Sequence, residues 1–202
     1  FADHGDRENG AGDRLAPSGY RVKAADAKLL AQLNVDSDLM LAVQWLEQPA
    51  TPRFDELTPG FGQSQPAAER FEFRPNRRSF LHARYRLTDH AGWIDDLEVH
   101  LARQVITDDR LTQDFGSSLL TDEHNRSELD GVTIQFATDE QRDLLVTGGL
   151  EYYADRVRSR RTQSDTASGT ELPAPARFPD RSRMDSLAAF LDRKSTRLNS
   201  SH

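Results

Sequence analysis

Phe80-Leu81-His82-Ala83-Arg84-Tyr85-Arg86-Leu87 alternates side chains of two kinds without a break. Leu81, Ala83, Tyr85 and Leu87 fall on one side of an extended chain, and Phe80, His82, Arg84 and Arg86 on the other. A period of two belongs to a strand with two unlike faces, and no helix produces it.

The pattern recurs on both sides of this stretch. Residues 20–33 place Ala25, Ala27, Leu29, Ala31 and Leu33 on one face, and residues 38–47 do the same with Leu39, Leu41, Val43 and Trp45. Residues 93–107 align Trp93, Leu97, Val99, Leu101 and Val105; 128–138 align Val132, Ile134 and Phe136; 144–157 align Leu144, Val146, Leu150 and Tyr152. A further run begins near Met184. Short turns near 34–37, 88–92 and 139–143 alternate with long loops near 48–77, 108–127 and 158–183. The expected fold class is therefore all-β, an antiparallel meander of long hairpins.

Pairing sharpens the expectation, because a hairpin must set apolar residues opposite apolar ones. Folding about His90 puts Leu81 opposite Val99, Ala83 opposite Leu97 and Leu87 opposite Trp93, with His82 facing Glu98 and Arg84 facing Asp96. Folding about Gln141 pairs Phe136 with Val146, Ile134 with Gly148 and Val132 with Leu150. Folding about Asp36 pairs Leu33 with Leu39, Ala31 with Leu41, Leu29 with Val43 and Ala27 with Trp45. Asp95 and Arg103 interrupt the apolar face. Asp95 is expected beside a short turn, and Arg103 near the opposite rim or snorkelling to it.

Composition narrows the class. Of the 202 residues, 36% are hydrophobic and 29% charged, and no run of about 18 apolar residues exists for a transmembrane helix. A barrel escapes that test, since only alternate residues of each strand must be apolar. The net charge of -7 disfavours a general nucleic-acid binder, and the absence of cysteine excludes disulfide frameworks and thiolate metal sites. Runs of about 10 to 14 residues cross a bilayer at a tilt, and short turns at one end with long loops at the other suit an outer-membrane barrel. Tyr85 and Trp93 near the short turns, and Trp45 and Tyr152 toward the loops, fit aromatic girdles. A soluble all-β sandwich shares the period of two, but its strands are shorter and its loops short at both ends.

Leu145-Val146-Thr147-Gly148-Gly149-Leu150-Glu151-Tyr152-Tyr153-Ala154-Asp155-Arg156-Val157 resembles a barrel strand of TonB-dependent receptors. Arg177-Phe178-Pro179-Asp180 followed by Met184-Asp185-Ser186-Leu187 is similar to the return that follows it. Thr51-Pro52-Arg53-Phe54-Asp55-Glu56-Leu57-Thr58-Pro59-Gly60-Phe61-Gly62, with Phe80-Leu81-His82-Ala83-Arg84-Tyr85-Arg86, resembles haem and haemoglobin receptors of that family. Order and spacing carry the resemblance, which covers about residues 10 to 191. Phe73-Arg74-Pro75-Asn76 only echoes the FRAP box of haem receptors, and no NPNL box is present.

The resemblance implies that residues 1–191 are a partial transmembrane β-barrel of about seven strands in the bacterial outer membrane. It implies energised uptake of haem, a haem-protein or a ferric siderophore, with the TonB complex engaged through an N-terminal plug upstream of Phe1. A passive porin or adhesin barrel, and a soluble extracellular β-sandwich, are the alternatives. Residues 192–202, DRKSTRLNSSH, resemble a translated sequencing adapter and are set apart as a non-native tail.

No catalytic constellation emerges; the chain reads as a non-enzyme without a resident cofactor. Expected ligand contacts are Phe54, Phe61, Phe71 and Phe73, aromatics able to anchor a flat apolar ligand or carrier. Arg158, Arg160 and Arg161, with Arg156, suit anionic siderophores, haem propionates or lipopolysaccharide phosphate. His124 is a possible axial ligand to haem iron, although a loop histidine is more often solvated.

Overall fold

The computed structural model describes residues 1–89, 93–138 and 144–195. Chain order is β1 (Ala2–His4), β2 (Arg7–Glu8), β3 (Arg14–Leu15), β4 (Tyr20–Asn34), β5 (Ser37–Gln48), β6 (Thr51–Pro52) and the single turn of helix α1 (Phe54–Leu57). There follow β7 (Ala68–Thr88), β8 (Asp96–Asp114), β9 (Leu119–Ala137), β10 (Leu144–Asp165), β11 (Glu171–Pro173) and β12 (Ser182–Ser195). Seven strands are long, and they form one antiparallel meander in the order β4-β5-β7-β8-β9-β10-β12. Among the described residues no second layer packs on this sheet, as a sandwich requires.

All three expected hairpin registers are displaced, each by an even number of residues. Leu81 pairs with Arg103, Ala83 with Leu101 and Leu87 with Leu97, four residues beyond the fold about His90. His90, Ala91 and Gly92 lie outside the described residues, as does 139–143 of the next turn. Phe136 pairs with Gly148, Ile134 with Leu150 and Val132 with Tyr152, a shift of two. Ala31 pairs with Leu39, Leu29 with Leu41 and Ala27 with Val43, again a shift of two. In this hairpin the cause is visible. Gln32 Nε2 donates to the carbonyls of Asn34 (2.5 Å) and Ser37 (3.3 Å), and the Asp36 N–H donates to Asn34 Oδ1 at 2.9 Å. This closes a tight turn over Val35-Asp36 and leaves an irregularity between Gln32 and Asn34. Even shifts leave each residue on its own face, so the face assignment survives.

The expected long loops shrink because strands extend into them. Residues 68–77, 108–114, 119–127 and 158–165 are strand, leaving connections at 49–67, 115–118 and 166–181. In these extensions polar side chains stand on both faces among a few apolar ones, so the backbone ladder continues where the regular hydrophobic period has stopped. At 22 residues β10 is about 70 Å long, roughly twice what a tilted crossing needs. Residues 192–195 also pair with β10, from Asp192 with Thr147 to Ser195 with Leu144, and so continue β12; 196–202 lie outside the described residues.

Three rows of side chains cross the sheet on its apolar face. Leu29, Leu41, Ala83, Leu101, Val132, Tyr152 and Leu187 form one, with Ala31, Leu39, Tyr85, Val99, Ile134, Leu150 and Ala189 beneath it. Leu87, Leu97, Phe136, Gly148 and Leu191 make the third. These side chains stay uncovered: Leu29 is 56% exposed, Leu101 50%, Leu150 52% and Leu187 77%. Among the described residues no large side chain is fully buried, so the apolar face is not half of a compact core. Along β5 the apolar side chains run from Leu39 to Trp45, about 20 Å of strand.

Candidate functional site: the polar face and its mouth

The face opposite the belt carries the charge. Arg84 donates to Asp38 Oδ1 at 2.7 Å, and Arg86 to Asp96 Oδ2 at 2.7 Å, with Glu98 Oε1 3.5 Å from Arg86 Nε. His100 Nε2 lies 3.1 Å from Glu98 Oε2, and its Nδ1 lies 3.2 Å from His82 Nε2, the two imidazoles stacked at 5.4 Å between centroids. The His82–Glu98 and Arg84–Asp96 pairs expected from the sequence are thus replaced. The four-residue slip moves Arg84 opposite His100 and Arg86 opposite Glu98, and Arg84 finds its acid on β5 instead. The Nε atoms of Arg84 and Arg86 are buried and donate no hydrogen bond among the described residues, that of Arg86 keeping only the 3.5 Å ion pair with Glu98. Deeper along the same face the Tyr153 ring covers Gly131, where a Cβ would sit 2.7 Å from its Cε1.

Toward the long extensions, a bulge redirects the aromatics. Phe73 pairs with Arg110 and Asn76 with Asp108, so Arg74 and Pro75 stand against the single residue Asp109. Pro75 has no N–H to offer the ladder, which is why the irregularity falls there. The extra residue reverses the alternation and turns Phe71 and Phe73 onto the polar face, Phe73 in a row with Arg110, Glu123 and Arg161 and Phe71 in the row beyond. Their rings meet edge to face at 5.8 Å. Arg110 lies 5.2 Å above Phe73, and Arg53 lies 5.2 Å above Phe71. Glu123 is buried and accepts from Arg161 Nε at 2.6 Å, while Arg110 donates to Asp108 at 2.6 Å. On the other side of β7, Glu72 sits between Arg70 (2.7 Å) and Arg74 (3.0 Å). Partial burial opposes its charge, but the two guanidiniums prevail and hold its carboxyl below the usual range.

The structure divides the sequence-predicted residues. Phe71 and Phe73 come together, half-buried. Phe54 begins α1 in the 49–67 connection, and Phe61 stands fully exposed in the same connection. Arg161 joins the polar face, but Arg158 and Arg160, of opposite parity, lie on the side of the apolar belt. His124 is also on that side, between Asp109 (3.1 Å) and Asp122 (3.5 Å), away from the Phe71–Phe73 pair. Arg110, Asp108 and Glu123 were not singled out from the sequence. The available signal was Pro75, which offers no N–H to a ladder, within a segment read from the sequence as loop.

No family model matches the chain, and no curated protein sequence matches it. Among solved structures it is similar to the copper transporter OprC, an outer-membrane β-barrel protein, with a TM-score of 0.66 and 13% identity. The match covers 98% of this chain and 29% of that one. An apolar belt on one face, a charged ladder on the other and this likeness agree on one architecture: the chain has the fold of part of an outer-membrane β-barrel wall.

Proposed function

We propose that this chain is part of the barrel of a TonB-dependent transporter in the bacterial outer membrane, taking up an iron-containing ligand as haem, a haem-protein or a ferric siderophore. The observation that carries the transport reading is the division of the sheet into an uncovered apolar belt and an opposite ladder running Asp38, Arg84, Arg86, Glu98, His100, His82. In a closed barrel the first face meets lipid and the second lines the conduit. A plug, through which the TonB complex would act, docks against that ladder in this reading. The Nε of Arg84, buried without a hydrogen bond, is a suitable contact for its carbonyls or acids. At the mouth, Phe71 and Phe73 lie against Arg53 and Arg110, whose guanidiniums also pair with Asp55 and Asp108, so the site presents flat apolar surface edged by ion pairs, a chemistry matched to a flat aromatic ligand with polar edges.

A second reading takes copper as the cargo, because the similar structure is a copper transporter. The test is a strain deleted for the full-length gene, supplied with haemin or a ferric hydroxamate as sole iron source, with copper accumulation measured in parallel. Loss of growth on one iron source, restored by the wild-type gene and not by the F71A/F73A double variant, supports the proposal. Loss of copper accumulation with iron use intact transfers the cargo to copper, and passive leakage of both solutes favours a porin.

A further inference from the structure

On the belt side of the sheet the row Ala27, Val43, Leu81 turns charged at Arg103, Asp130 and Asp185. The next row toward the long extensions carries Val105, Glu128, Arg156 and Arg183, and the one after it Thr107, Arg126 and Arg158. The β9–β10 register is unbroken from Ala137–Thr147 to Leu119–Asp165, so the parity that turns Ile134 and Leu150 toward the belt side turns Arg126, Arg156, Arg158 and Arg160 there too.

Arginine consequently faces arginine at two cross-strand positions, Arg126 with Arg158 and Arg156 with Arg183. Like charges directly opposite one another destabilise a sheet unless an anion lies between them. Three of these four arginines have a carboxylate nearby, and Arg158 is the one left over. Glu128 accepts from Arg126 (2.6 Å) and Arg103 (3.1 Å), Asp185 from Arg183 (2.7 Å), and Asp130 lies 3.4 Å from Arg103 and only 3.9 Å from Arg156. Among the described residues Arg158 and Arg160 form no ion pair, and Arg158 feels Glu128 only at longer range. Both line a cavity of about 670 Å³ where β12 leaves β10, together with Arg156, Arg181 and Arg183, and Asp180 is the lone acid in that lining.

We propose that this cluster binds the phosphates of a lipid headgroup, the diphosphorylated glycolipid of the outer leaflet. The inference rests on the outer-membrane reading and adds to it a specific lipid. Position and charge both support that occupant. The arginines stand directly beyond Leu150, Tyr152 and Leu187, so acyl chains lying against the belt would carry a headgroup to their height. Guanidinium forks bind phosphate oxygens in pairs; Arg181, Arg183 and Arg156 lie near Asp180, Asp185 and Asp130, so Arg158 and Arg160 supply the two charges in excess, one for each phosphate.

The experiment uses the full-length protein in detergent, titrated with diphosphoryl lipid A, with its dephosphorylated form and with inorganic phosphate. The wild type is expected to retain diphosphoryl lipid A through native mass spectrometry, and R158Q/R160Q to bind it at least about tenfold more weakly. Heat-modifiable mobility on gels checks that the variant barrel is folded. Unchanged binding by a folded double variant overturns the proposal, as does equal retention of the dephosphorylated lipid. Saturation by inorganic phosphate at concentrations comparable with lipid A overturns the lipid assignment in favour of a free-anion site. Failure of lipid binding in a protein that still fractionates with the outer membrane leaves the transport reading standing, whereas absence from that membrane removes both.

Discussion

Phe136 on β9 faces Gly148 on β10, and its ring fills the space a side chain at 148 would need: a Cβ there would lie 2.7 Å from Phe136 Cζ. This pairing fixes a register that simple matching of apolar residues misses, because a glycine and a phenylalanine complement each other by shape.

Gly148→Val is therefore expected to destabilise the full-length barrel by about 1–3 kcal/mol through overpacking, read as a lower urea midpoint in detergent. Adding Phe136→Ala should recover part of that loss. Additive losses in the double variant would show that the two residues do not share this space.

Arg84 and Asp38 lie on strands far apart in sequence, and their 2.7 Å pair joins β7 to β5 on the charged face. Both are about a third exposed, so solvent screening discounts the pair. A double-mutant cycle on R84Q and D38N should give a coupling of about 0.5–1 kcal/mol in unfolding, smaller at high salt. A coupling of zero at low salt would remove this link from the account.

At the far end of β10, Asp165 Oδ1 accepts from the Ala167 N–H at 2.9 Å. That backbone bond, with help from Ser118 and Ser168, holds the Asp165 carboxyl below its usual value. A depressed carboxylate contributes order that is present above the ordinary carboxylate pKa and lost as pH falls through its lowered one. Amide exchange at Ala167, compared with the D165N variant at each pH, should converge with that variant only in the acid range. Equal exchange in the two proteins at neutral pH would contradict this.

Among the described residues of the 202-residue chain two sheet edges are largely open: the outer side of β4 is covered only by three-residue β1, and β12 pairs only with β10. Open edges recruit other strands, and the exposed belt adds an apolar surface. Expressed alone, the chain should elute as aggregates from size exclusion and bind ANS; a monomer with a single cooperative unfolding transition would refute this.

Reading faces from the sequence succeeded where one side of a strand is apolar. Leu81, Ala83, Tyr85 and Leu87 lie together on the belt face because alternation is a local property of extended backbone. Strand length was less legible. Residues 108–114 and 119–127 have polar side chains on both faces, so nothing in their pattern separates a strand standing in water from a loop. The mouth was legible only as a set of phenylalanines and Arg161, without their arrangement. That Phe71 and Phe73 share a face with Arg110 and Arg161 depends on the bulge at Arg74-Pro75, which reverses their parity.

The sequence by itself determined that the chain forms long antiparallel strands with one apolar and one charged face, since a period of two leaves no other regular structure. Only the tertiary structure decided which residues meet across the strands. A slip of two or four residues preserves every face, so hydrophobic patterning cannot choose among such registers. Turn hydrogen bonds at Gln32 and Asn34 and the fit of Phe136 over Gly148 mark the registers that form, and with them the placing of Arg84 on Asp38 and of Arg158 opposite Arg126.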